Sequence, residues 1–342
     1  MRKCIDKKKL VFIGGTLLLS LLFAANIFYG SVDIPAADVL GVLAGKECND
    51  VWRLIIVGTR LPQAVTALLA GAAVSVAGLM LQTLFNNPLA GPEVLGINSG
   101  AGLGVAVVML LAQGTVFAGG MGLYGYFATL AGAFIGAFMV ISLVLLLSSM
   151  LKNRLYLLIA GVAVSFLVSS VISILNYFAT AEGVHSYMIW GMGSFSGVSL
   201  ERLPMFVIPL LLLLAITVLQ SKPLNALLLG DDYAMNLGIG VMKARVVLLA
   251  LSGLMIAVVT AFCGPVTFIG LAVPHLARLS LKSSNHNLLL PATMIAGASV
   301  ALLCNIICQL PGESGLMPLG AVTPLVGAPV IIYVLLKERG TM

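Results

Sequence analysis

Ten long apolar stretches, almost free of charge, constrain this chain more than any other feature. They run from Leu10 to Tyr29, Ala64 to Leu81, Val94 to Ala112, Phe127 to Met150 and Tyr156 to Phe178, then from Pro204 to Leu219, Val246 to Cys263, Val266 to Leu281, Leu288 to Cys308 and Leu319 to Leu336. Most approach the roughly 20 residues a helix needs to cross a bilayer core. Charged residues are 9% of the total, against about 25% in a soluble domain, whose surface must be solvated. A water-soluble enzyme and a disordered chain are therefore excluded. So is a β-barrel, whose strands alternate in short segments. The expected fold is an all-α polytopic membrane protein of about ten transmembrane helices, forming one transmembrane domain over residues 1–342. With 37 Gly and 14 Pro, several helices should be broken, short or closely packed.

Lys and Arg set the expected orientation. With the amino terminus inside and ten spans, only Lys46, Arg53, Arg60 and Arg202 fall outside, and the other fourteen of the 18 basic residues fall inside. That is the sign of the positive-inside bias. It explains the net charge of +6 as topology and calls for no nucleic-acid partner. Both termini are then cytoplasmic, with residues 1–9 as a basic tail. Leu10 to Tyr29 is long for a signal peptide and lacks a clean small-residue cleavage site, so it reads as an uncleaved first span. The five cysteines form no framework. Cys263, Cys304 and Cys308 lie in apolar runs as small packing residues, while Cys4 and Cys48 fall on opposite sides.

No G-x-x-x-x-G-K-[ST] occurs, so the chain carries no P-loop for nucleotide hydrolysis. Of its carboxylates only Glu93 lies at membrane depth, whereas ion-coupled carriers usually place several there. An ion-coupled secondary transporter of a bulky solute is the alternative this disfavours. A membrane-embedded enzyme lacks the clustered His, Asp or Glu it would need, and no cofactor or metal site is expected in the chain. A transporter energised by another subunit fits best.

Four segments carry more than hydropathy. From Arg60 to Gly104 a helix dense in small residues, Ala70 to Gly78, ends at Asn86-Asn87-Pro88. Gly91-Pro92 and Gly96 then precede the next helix, which suggests a buried re-entrant element. From Gly264 to Arg278, Pro265, Gly270 and Pro274 loosen the helix. His275 there has no acidic neighbour in sequence and reads as a hydrogen-bonded packing residue. The two segments echo each other weakly, Leu89-Ala90-Gly91-Pro92-Glu93-Val94 against Leu271-Ala272-Val273-Pro274-His275-Leu276, as an inverted repeat of two halves would. The longest inner loop, Ser221 to Arg245, reads as a short amphipathic helix pair. Gly230-Asp231-Asp232 caps the second helix, Tyr233 to Leu237, and the pair suits docking into a partner's groove. The outer stretch Tyr187 to Arg202, with Trp190, is too short and Gly-rich to span, and reads as a gating helix at the outer mouth or an interfacial loop.

Together these motifs resemble one family. Arg60-Leu61-Pro62 through Asn87-Pro88-Leu89-Ala90-Gly91-Pro92 looks like the RLPR…NPLAxPxxLG signature of the permease subunits of ABC importers for iron–siderophore complexes, haem and cobalamin. Gly264 to Arg278 looks like its GxxxFxGLxxPHxxR motif, and Pro318 to Pro329 like its LPxGxxTxxxGxP motif. The resemblance covers Trp52 to the carboxyl end. It implies a homodimeric permease of a bacterial inner membrane, not itself an enzyme. Two ATPase subunits holding ATP and magnesium, and a periplasmic or lipid-anchored binding protein, would complete it. It also implies coupling residues Gly230, Asp231, Asp232, Met235, Leu237 and Gly238 within a coupling loop at 221–245. Docking residues would be Arg60, Arg53 and Arg202. A path and gate would be formed by Asn86, Asn87, Pro88, Gly91, Pro92, Trp190, Gly193, Ser194 and Ser196. The chain departs from the pattern where Gln63, Asn305 and Gln309 stand in place of charged residues, so its docking charges are thinned.

Overall fold

The structure is a computed structural model that describes residues 2–46, 49–111, 123–151, 154–310 and 317–339. Every regular element among these is helical. All ten expected spans fall on helices: α1 (Arg2–Phe28), α4 (Leu61–Phe85), α5 (Ile97–Leu111), α6 (Leu123–Met150), α7 (Arg154–Phe178), α9 (Leu203–Leu219), α12 (Val241–Cys263), α13 (Ile269–Leu281), α14 (His286–Gln309) and α15 (Leu319–Arg339). Between them lie the short helices α2 (Ala36–Leu43), α3 (Asp50–Ile55), α8 (Ala181–Met192), α10 (Ser221–Leu227) and α11 (Asp231–Asn236).

Six helical stretches are long and apolar enough to cross a bilayer unaided, those of α1, α3–α4, α6, α7, α12 and α14. α9 reaches that length only with α10, across a 53° bend, and α5, α13 and α15 contribute shorter apolar helices. The short ones begin at chain breaks, as the Gly and Pro content requires. Two boundaries differ from the sequence expectation. Residues 2–9 are helical and continuous with the first span, because no Gly or Pro interrupts Lys7-Lys8-Lys9-Leu10. α13 starts at Ile269, after Phe268 adopts a left-handed φ of 65°, so residues 264–268 are not helical.

α4 is the centre of the bundle. Its apolar window is 89% buried, against 11% for α1 and 17% for α7 at the rim. Helices α14, α12, α13, α9 and α1 surround it. Small residues make this possible. A Cβ on Gly71 would overlap the Gly297 carbonyl of α14, and one on Gly78 would overlap the Gly270 carbonyl of α13. The Ser75 hydroxyl reaches the Thr293 carbonyl at 3.1 Å. In lipid, association relies on such close packing and on interhelical hydrogen bonds, because the tails are as apolar as the helices. α5 and α6 use the same device symmetrically. Gly100 and Gly104 face Gly136 and Gly132, each pair spaced by four, and a Cβ on Gly100 would lie 2.6 Å from the Gly136 oxygen.

Candidate functional site: a junction of chain breaks

Four interruptions of the helical pattern converge beside α4. After α4, Asn86 takes a left-handed φ of 46° and caps the helix, and a 3-10 turn at Pro92–Leu95 leads to α5. Asn86, Pro88 and Leu89 are exposed, while Ala90, Gly91 and Pro92 are buried. The expected re-entrant element, Asn86 to Gly104, is therefore exposed at its first residues and largely enclosed from Ala90 on. The Glu93 carboxylate accepts the Phe268 N–H at 2.9 Å. An acceptor so placed satisfies a backbone N–H just before the amino-terminal end of α13. Pro92 packs on Gly270, whose missing side chain leaves room for the proline ring. His275 Nε2 donates to the Pro88 carbonyl at 2.9 Å, the acceptor fixing the proton on that nitrogen. Gln82 donates to the Leu271 carbonyl at 3.1 Å and accepts from Arg278 at 2.6 Å. The two segments that echo each other in sequence are thus bonded to one another, and His275 is a hydrogen-bonded packing residue.

The third interruption is the segment read as a gate. Its residues 181–192 form α8, capped by Thr180. α8 packs on α5, with Gly183 against Met109 and Leu110 and Tyr187 and Trp190 against Gly102. It therefore runs back along the second half of α5 toward the bundle interior. Tyr187 and Trp190 stack at 6.1 Å. At its end Gly193 (φ 71°) is buried against the carbonyls of Cys263 and Pro265. Ser194 N–H donates to the Cys263 carbonyl at 2.8 Å, and Leu319 N–H donates to the Gly193 carbonyl at 3.3 Å. The breaks before α13 and α15 and after α8 are thereby tied together. Thr260 extends the cluster to α5 by donating to Asn98 Oδ1 at 2.8 Å. Ser194 and Ser196 pair at 2.7 Å. Of the expected path residues, Gly91, Pro92, Trp190, Gly193 and Ser194 meet at this junction, and Asn86, Asn87 and Pro88 lie at its edge.

At the end of the bundle where α4 finishes, α10 and α11 form the expected helix pair. Gly230, at φ 106°, is the N-cap of α11. Asp231 and Asp232 occupy the first turn, so the helix starts two residues before the expected Tyr233, and their charges suit that position. Asp231 lies 3.7 Å from Arg245. Leu229, Tyr233, Met235 and Leu237 are all exposed, at 65%, 48%, 55% and 57%. They form an apolar surface beside Gly238, which takes φ 77°. Behind them sits a contact that hydropathy does not announce. His286, 1% exposed, donates to Asn225 Oδ1 of α10 from both its backbone N–H (2.8 Å) and Nδ1 (3.0 Å), and its Nε2 lies 2.9 Å from the Thr83 hydroxyl of α4. The α10–α11 pair is thus connected to the central helix through one imidazole.

At the opposite end, Arg60, expected as a docking residue, turns inward. Arg60 is 4% exposed. A π turn at Ile56–Arg60 precedes α4, and the guanidinium donates to the carbonyls of Ile27 (2.9 Å), Phe28 (2.8 Å) and Val32. Gly30 makes the room: a Cβ there would lie 2.7 Å from Arg60 Nε. Arg202 stacks over the Tyr126 ring at 3.7 Å. Arg53, on α3, is exposed. The neutral replacements Gln63 and Asn305 form an amide chain. Gln63 donates to Asn305 Oδ1 at 3.0 Å, Asn305 to Asn26 Oδ1 at 2.7 Å, and Asn26 to the carbonyls of Leu22 and Leu302. That chain joins α4, α14 and α1 without charge.

A polytopic helical bundle whose broken helices meet beside a central helix is an architecture that membrane transport proteins use. The chain belongs to the FecCD transport family, whose model matches residues 18–337, and the resemblance read from the motifs is borne out. It is 37% identical over 327 residues to the vitamin B12 import system permease protein BtuC of Klebsiella pneumoniae subsp. pneumoniae, covering 96% of this chain and 93% of that one. It is 38% identical over 292 residues to the BtuC of Escherichia coli O9:H4, covering 84% of each. Among solved structures, a chain provisionally described as a metal-chelate type ABC transporter, in an inward-facing conformation, matches with a TM-score of 0.82 and 32% identity over 96% of this chain and 99% of that one.

Proposed function

We propose that this chain is the permease subunit of an ATP-driven importer that takes a metal chelate of the cobalamin type from a binding protein into the cytoplasm. The observation that carries the reading is the similarity to vitamin B12 import permeases along nearly the whole chain, including every segment of the junction. A homodimer would place two junctions around one central path. Two ATPase subunits would dock on the α10–α11 surfaces, whose exposed Leu229, Met235 and Leu237 suit an apolar groove. With the basic ends inside, α10 and α11 lie in the cytoplasm of a bacterial cell with the chain in its inner membrane, and α2 and α3 face the binding protein. Arg53 is then an exposed cation available for docking.

Reconstitution in proteoliposomes with the cognate ATPase and binding protein tests this. Labelled cobalamin should accumulate only with ATP, and the permease alone should hydrolyse none. Accumulation of haem or a ferric siderophore in its place would reassign the cargo, and uptake driven by an ion gradient without ATP would sink the importer reading. Met235→Asp with Leu237→Asp puts unpaired charge into the proposed apolar groove. ATPase capture should fall about tenfold or more, each decade corresponding to about 1.4 kcal/mol. Capture at the unmodified level would reduce α11 to a connector.

A further inference from the structure

Away from the junction, a groove of about 280 Å³ runs between α1, α13 and α14. Phe12 and Gly15 of α1, Leu276 of α13, and Ala292, Ile295 and Ala296 of α14 form its walls. It stays open because α1 and α14 present Gly and Ala to each other there. Gly15 approaches α14 only at Ile295, where a Cβ would make a contact of 3.2 Å. None of the lining residues is acidic. One end of the groove is basic. Lys8 lies one turn before Phe12 on the same face of α1 and is half-buried, with Lys7 and Lys9 exposed beside it. Lys282 is exposed just past α13, two residues beyond the groove-lining Ser280.

We infer that this groove holds one acyl chain of an anionic phospholipid, whose phosphate is received by Lys8 and Lys282. Apolar walls alone would select no head group, because any lipid tail satisfies them. The lysines add the selection, since basic residues at the membrane surface attract anionic lipid. A second copy of the chain fits less well, because a slot of this volume does not admit a helix about 10 Å across.

Native mass spectrometry of the delipidated protein in detergent tests the site, with dioleoylphosphatidylglycerol and dioleoylphosphatidylcholine as probes. Phosphatidylglycerol should bind about fivefold more tightly or better, the scale of one lysine–anionic lipid attraction. Lys8→Gln with Lys282→Gln should abolish that preference and leave phosphatidylcholine binding unchanged. Ala296→Phe should fill the slot and weaken both. A photoactivatable phosphatidylglycerol on the unmodified protein should label α1 and α14, which keeps the test independent of how any variant folds. Equal binding of the two lipids, labelling confined to other helices, or Ala296→Phe splitting a dimer while lipid binding persists would each overturn the proposal.

Discussion

The guanidinium of Arg60 bonds the end of α1 and the segment after it to the start of the buried section of α4. Without it the buried carbonyl of Ile27 would lose this donor, at about 1–3 kcal/mol for a buried unsatisfied group, and the half-buried bonds to Phe28 and Val32 would go with it. Arg60→Ala should therefore lower the thermal midpoint in detergent. Arg60→Lys should recover only part of it, because an ammonium lacks the planar fork. Gly30→Ala should reproduce the loss by evicting the side chain, and unchanged midpoints in all three would remove this role. The motif marked Arg60 as important, but its inward turn depends on a glycine thirty residues earlier and on a π turn, neither of which leaves a periodic trace. His286 was invisible for a related reason. It stands at a helix start next to Asn285, where polar residues are ordinary, and only the fold brings Asn225 and Thr83 to it. A cycle of His286→Phe and Asn225→Ala should show a coupling of about 0.5–3 kcal/mol in unfolding stability, as residues sharing one network do. Additive effects would mean that the imidazole fills space only.

Among the elements, the glycine-faced crossings carry the sharpest consequence. Gly78→Ala places a methyl group into the Gly270 backbone carbonyl, which cannot rotate away. The cost should reach or exceed the 1–3 kcal/mol typical of overpacking. Gly14→Ala, where nothing lies within 4 Å, is the matched control and should be neutral. Folded yield and thermal midpoint after purification compare the two, and equal behaviour would mean that α4 and α13 pack more loosely than described. The ten apolar runs were legible as helices because most carry almost no charge, and α11 because Gly230 and Gly238 bracket it. The course of α8 was not. A helix of twelve residues carries too little hydropathy to reveal whether it lies on the membrane or enters the bundle. Its direction is set by Gly183, Gly193 and Gly264 fitting against distant backbone. The pairing of the two Pro-containing segments was foreshadowed by their similarity, whereas the Glu93 to Phe268 bond needed a left-handed Phe that no pattern signals.

For the whole molecule, the orientation proposed from the basic residues makes Lys46 and Lys282 reporters of opposite sides. Both are exposed. In a cysteine-free background, Lys46→Cys should react with a membrane-impermeant thiol reagent added to intact cells, and Lys282→Cys only after permeabilisation. The reverse pattern would invert the topology and move the proposed ATPase surface to the wrong face. The central place of α4 also has a consequence in time. Ser75 meets its partner Thr293 across 218 residues of sequence, and chains are synthesised at about 5–20 residues per second. Roughly ten to forty seconds therefore pass between the making of the innermost helix and the arrival of α14, the helix that closes over it. During that interval its stripe of glycine, alanine and serine faces lipid or the insertion machinery. The core of this permease is laid down early and enclosed late, so its most closely packed surface must wait for its partner while the protein is being made.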